Sequence, residues 1–114
     1  MEDAQIVWSG AVELGRAIHR RKVTAVQAAT AYLSRIAALN PLLEAYVTVT
    51  AERALAEAAT ADAEIEAGNW RGPLHGVPYC LKDIVQTVTL EQLPEVFDKM
   101  LKQQTKGRVV VEIE

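Results

Sequence analysis

The sequence predicts an α/β fold: three N-terminal helices, then a βαβ unit with a small parallel sheet completed by dimerisation. Three observations predict it. Apolar residues recur at three- and four-residue spacing up to about residue 67. A near-continuous apolar run follows at about 78–85, after a loop containing Gly72-Pro73 and His75-Gly76. A β-branched run closes the chain at 108–114, and strand, helix, strand at this spacing reads as a right-handed βαβ unit. The 114 residues fit one small domain, with residues 1–85 as its head and 86–114 as a helix-strand tail.

Ser9 is placed to cap a first helix over about 10–21, whose stripe is Ala11, Leu14, Gly15 and Ile18. Arg20, Arg21 and Lys22 suit the negative end of its dipole. Thr24 and Gln27 form a capping box for a second helix over about 25–39, burying Val26, Ala29, Leu33 and Ile36. Asn40-Pro41 stops it, because proline disfavours the helical conformation of the residue before it. Tyr46-Val47-Thr48-Val49 is an extended connector. Thr50 caps a third helix over about 51–67, with Ala54, Leu55, Ala58, Ala61 and Ile65 inward and Gly68 at its end. These small side chains permit close helix contact. Thr89 and Gln92 form another box, for a helix over about 90–103 with Leu93, Phe97, Met100 and Leu101 on its core side.

Composition narrows the function. A net charge of −3 and a pI near 5.4 argue against general nucleic-acid binding. The single cysteine, Cys80, cannot form an intramolecular disulfide, which fits a reducing cytoplasm. The acidic, polar start Met1-Glu2-Asp3-Ala4-Gln5 is unlike a signal peptide, and no apolar run is long enough for a membrane span. Two histidines and one cysteine give no zinc-ligand spacing, and the absence of G-x-G-x-x-G implies no dinucleotide cofactor. The expectation is therefore no metal, no cofactor, no nucleic acid and no membrane.

Lys82 interrupts the apolar run of "GPLHGVPYCLKDIV" and is the candidate catalytic residue. Its structural reading is a snorkelled or ion-paired lysine, with Glu112 or Glu114 as partners, because Asp83 would point to the opposite strand face. His75 reads as a loop-shaping hydrogen bonder or a general base. Cys80 reads as a small buried hydrophobe, or as a thiol sharing a strand face with Lys82 at i, i+2. Trp70 is expected to cover the end of the third helix and Trp8 to anchor the N-terminus. The cations Arg16, His19, Arg20, Arg21 and Lys22 read as a solvated helix end, or as a contact to RNA or acidic lipid.

Residues 9–85 resemble the N-terminal segment of amidase-signature enzymes, the serine amide hydrolases that include the glutamyl-tRNA amidotransferase A subunit. The residues that carry the resemblance are Val23-Thr24-Ala25, Tyr32-Leu33-Ser34-Arg35-Ile36, Leu39-Asn40-Pro41, Ala45-Tyr46-Val47-Thr48-Val49, Ala54-Leu55 and Ala61-Asp62. Above all they are Gly72-Pro73-Leu74-His75-Gly76-Val77-Pro78 together with Leu81-Lys82-Asp83. The resemblance implies that Lys82 matches the family's catalytic lysine, which in neutral form takes a proton from a bridging serine and so activates a serine nucleophile. Both serines and the oxyanion hole lie on a downstream Gly- and Ser-rich loop in that family. Here the only serines are Ser9 and Ser34.

After Val85 the amidase pattern gives way to one that resembles the C-terminal tail of a medium-chain dehydrogenase/reductase of the quinone-reductase type, over residues 89–114. The chain then reads as a truncated, chimeric amidase-signature module without independent hydrolase activity. It is expected to form a homodimer through a sheet edge or helix packing. The alternative is a residual amide hydrolase using Lys82, or one completed by a separate partner chain.

Overall fold

The computed structural model describes residues 1–82, 85–89, 92, 94, 95, 98 and 108–112. Contacts divide the chain into two compact units, Met1–Tyr79 and Cys80–Glu114.

The first unit is helical: α1 (Asp3–Trp8), α2 (Ala11–His19), α3 (Ala25–Leu43) and α4 (Ala51–Glu66). Helix α1 is not among the helices expected from the sequence. Glu2 and Gln5 make a reciprocal capping box that starts it, and Ile6 is buried on its inner face. Ser9 is the C-cap of α1 rather than the N-cap of the next helix, a position taken by Gly10. The Ser9 hydroxyl donates to the Gln5 carbonyl at 2.7 Å, satisfying an end carbonyl of α1. In α2, Leu14, Gly15, Ala17 and Ile18 are buried, close to the predicted stripe.

Helix α3 begins at the predicted box: Thr24 Oγ1 accepts from Gln27 N–H, and Gln27 Oε1 accepts from Thr24 N–H. It continues past the expected stop at Asn40-Pro41 to Leu43, with Pro41 inside the helix. Proline removes one internal hydrogen bond, and the helix runs on for only two residues beyond it. Asn40 then fastens the exit, donating to the Tyr46 carbonyl and accepting from the Tyr46 amide, both at 2.9 Å. Thr50 occupies the N-cap of α4, but its hydroxyl makes no capping bond.

The core is aliphatic and in two parts. Ile6, Leu14, Ala17, Ile18, Val23, Ala28, Ala31 and Ile65 form one cluster. Ala25, Ala29, Ala58 and Ala61 form a second, a seam of small residues between α3 and α4. Each fully buried Ile or Leu contributes about 1.5–3 kcal/mol. Leu33 and Ile36, expected in the core, are only partly buried, and Leu55 is exposed.

The α/β expectation is corrected: the architecture that holds the described core is helical. Residues 77–82 have no regular secondary structure where a strand was expected over 78–85. Pro78 cannot donate to a ladder, and a strand exists only by pairing. In the second unit, Val85–Thr89 (β1) and Arg108–Glu112 (β2) lie parallel, with Val85 opposite Arg108 and Thr89 opposite Glu112. Thr89 is thus the last residue of β1, and the start of the helix it was expected to cap lies outside the described residues. Pro94, Glu95 and Asp98 are helical. The rest of the helix expected at 90–103, with Leu93, Phe97, Met100 and Leu101, lies outside the described residues. No helix among the described residues is long and apolar enough to cross a membrane.

Candidate functional site

Between α4 and Lys82 runs the loop of residues 69–76, and two glycines seat it on the helices. Gly15 is buried in α2, and a Cβ there would overlap the carbonyl oxygen of Pro73. Gly76 has φ +84°, a left-handed conformation that favours glycine. A Cβ at Gly76 would lie 3.0 Å from Ala25 Cβ and 3.3 Å from Ile18 Cγ2, so the loop backbone lies tight against α2 and α3. Turn bonds from His75 N–H to the Gly72 carbonyl (3.1 Å) and from Val77 N–H to the Leu74 carbonyl (3.0 Å) shape what remains.

His75 is the buried polar residue of this loop, with its side chain only 3% exposed. The Arg71 amide donates to Nδ1 at 3.1 Å, and Arg71 Nε approaches Nε2 at 3.5 Å. Nε2 lies 2.9 Å from Glu64 Oε2 on α4, and Arg71 Nε reaches the same oxygen at 2.9 Å. That oxygen is closed off from water. Both ring nitrogens of His75 therefore face protein groups, which supports the loop-shaping reading over a base that meets substrate.

The remaining candidates lie further along. Lys82 is exposed and outside any helix or strand. Cys80 is an exposed free thiol, not a buried hydrophobe. Because residues 80–82 form no strand, the shared strand face that would join Cys80 to Lys82 is absent. Asp83 and Glu114 lie outside the described residues, and Glu112 ends β2. Trp70 stacks on His19 at the end of α2, with ring centroids 4.2 Å apart. Trp8 is 77% exposed, with the Arg35 guanidinium 5.3 Å from its ring centre.

Two contributors are not legible in the sequence. Glu64 has no local partner pattern, since its contacts come from residues 71 and 75. Asp62 belongs to a stretch that carries the family resemblance, but nothing around it suggests a role. Its carboxylate accepts from the Ala25 amide at 2.7 Å and the Val26 amide at 3.1 Å, capping α3 from α4. An acidic residue on an exposed-looking helix face gives no sign of a partner so distant in sequence.

The Amidase family profile matches residues 27–92, more than half of the chain. The chain belongs to the amidase family. It is 49% identical over 75 residues to the glutamyl-tRNA(Gln) amidotransferase A subunit of Azoarcus sp. (strain BH72), covering 66% of this chain and 15% of that relative. The corresponding protein of Thiobacillus denitrificans is 54% identical over 67 residues, covering 59% of this chain and 14% of the relative. That of Acidothermus cellulolyticus is 46% identical over 77 residues, covering 68% and 15%. The chain thus spans about 15% of the length of the curated relatives it matches. No solved structure matches. The amidase match runs past the boundary expected near residue 85, and these comparisons lend no support to a reductase-derived tail.

Proposed function

We propose that these residues are the lysine-bearing head of an amidase-signature enzyme, a module that carries Lys82 and has no independent hydrolase activity. The observation that carries this reading is the setting of the lysine. Lys82 is exposed and lies outside any helix or strand. A base without its nucleophile loses most of the rate that the complete group supplies. Of the two serines, Ser9 is committed to the Gln5 carbonyl and Ser34 lies on the exposed side of α3. The test is turnover of simple amides and esters by this chain and by Lys82→Ala. Both should stand at the uncatalysed background. A signal that disappears in Lys82→Ala would overturn the inert-module reading.

A second reading is favoured by the same exposure: Lys82 stays available to a separate chain that brings a serine-bearing loop. Mixing the chain with the remaining portion of a related amidotransferase should then produce Lys82-dependent amide hydrolysis. In the absence of such a partner, self-association through helix packing is the expected use of the apolar side chains Leu42, Leu43 and Val47, all exposed.

A further inference from the structure

We propose that a groove on α2 binds a small planar anion, meaning an aromatic or heteroaromatic ring that carries a phosphate or carboxylate. The groove has a volume of about 220 Å³ and is lined by Val12, Arg16, His19, Arg20, Trp70 and Pro73. That space holds one ring and its charged group, and is below the usual range for drug-sized ligands.

The residues follow from helix geometry. Positions 12, 16, 19 and 20 are spaced i, i+4, i+7 and i+8, so they share one face of α2. Arg16 and Arg20, four apart, repel each other in the absence of an anion. Neither forms an ion pair among the described residues. The nearby acids are Glu13, one turn earlier on α2, and Glu66, which meets Arg21 only through its backbone carbonyl at 3.5 Å. No acidic residue lines the groove itself.

The helix dipole accounts for cations in this turn but not for the rest of the arrangement. Three of the four end carbonyls of α2 are already satisfied by backbone: Arg20 N–H donates to Arg16, Arg21 N–H to Ile18 and Lys22 N–H to Ala17. No hydrogen bond from the Arg16 or Arg20 side chain to the helix end is among the contacts of the described residues. Trp70, half-exposed, lines the groove and stacks on His19 at 4.2 Å with an interplanar angle of 28°. Pro73, also lining it, is held by the close approach of its carbonyl to Gly15. The indole, the proline and Val12 offer apolar contact to a ring, and the two guanidinium groups offer charge-assisted hydrogen bonds to its anionic group.

Binding is read from Trp70 emission in a Trp8→Phe background, with adenosine monophosphate, benzoate and inorganic phosphate titrated separately. At least one ring-bearing anion should give a saturable change at millimolar concentration, and Arg16→Ala/Arg20→Ala should weaken it by about tenfold. Because both arginines are exposed, the double variant should keep the wild-type circular dichroism, and Arg20→Gln alone gives a milder check. Adenosine monophosphate ahead of benzoate assigns a phosphate ligand, and the reverse a carboxylate. The proposal is overturned by no saturable change up to about 10 mM with either ring-bearing anion, or by unchanged affinity in the double variant. Inorganic phosphate binding as tightly as adenosine monophosphate overturns it too, because the indole would then contribute nothing.

Discussion

The two halves of α3 treat hydrophobic residues in opposite ways. In its first half Ala25, Ala28, Ala29 and Ala31 are buried, and Ala25 and Ala29 meet Ala58 and Ala61 of α4. In its second half Leu33 and Ile36 line an open groove, while Leu42 and Leu43 are 83% and 62% exposed. The larger side chains have more to gain from burial, yet the alanines achieve it. Backbones that approach closely can bury only small side chains, so the contact is set where alanines coincide on both helices. Past that seam, leucine and isoleucine remain on the surface.

This contrast can be broken at its tightest point first. Gly15→Ala places a Cβ against the Pro73 carbonyl, so α2 and the 69–76 loop must part. We expect a loss on the order of 3 kcal/mol, the upper end for overpacking, seen as a clear drop in thermal midpoint. Asp62→Ala comes next, since it strips two acceptor contacts from the start of α3 while leaving the alanine seam untouched. The cost should be about 1–2 kcal/mol, with hydrogen exchange faster at the Ala25 and Val26 amides than elsewhere in α3. The smallest effect is expected at the exposed end. Leu42→Lys should change stability by no more than about 0.5 kcal/mol. Light scattering at tens of micromolar should nonetheless show less self-association. A compact wild-type monomer at that concentration would remove the helix-packing interface.

Legibility followed the range of the interactions. The start of α3 is readable because Thr24 and Gln27 are three residues apart and cap each other. The inner stripe of α4, Ala58, Ala61 and Ile65, is readable from helical spacing alone. The end of α3 is not, because Pro41 signals a break while the fork between Asn40 and Tyr46 that closes the helix leaves no local pattern. The apolar run after Gly76 has the composition of a strand, although Tyr79 and Leu81 are exposed and residues 77–82 are irregular. Hydrophobicity reports a wish for burial, but a strand needs a neighbour that the local sequence does not name. At the candidate site, Lys82 stands out through its motif. The setting of His75 does not, since it depends on Glu64 from the preceding helix.

The reach of Asp62 across 36 and 37 residues also bears on how the polypeptide acquires its shape. A nascent chain that stops short of position 62 has α3 in hand but no acceptor for two of its opening amides. The first turn should fray until α4 arrives, and the two helices should then consolidate in one cooperative event. Fragments intended to fold on their own must therefore be cut beyond α4, whatever the apparent completeness of the helices before it.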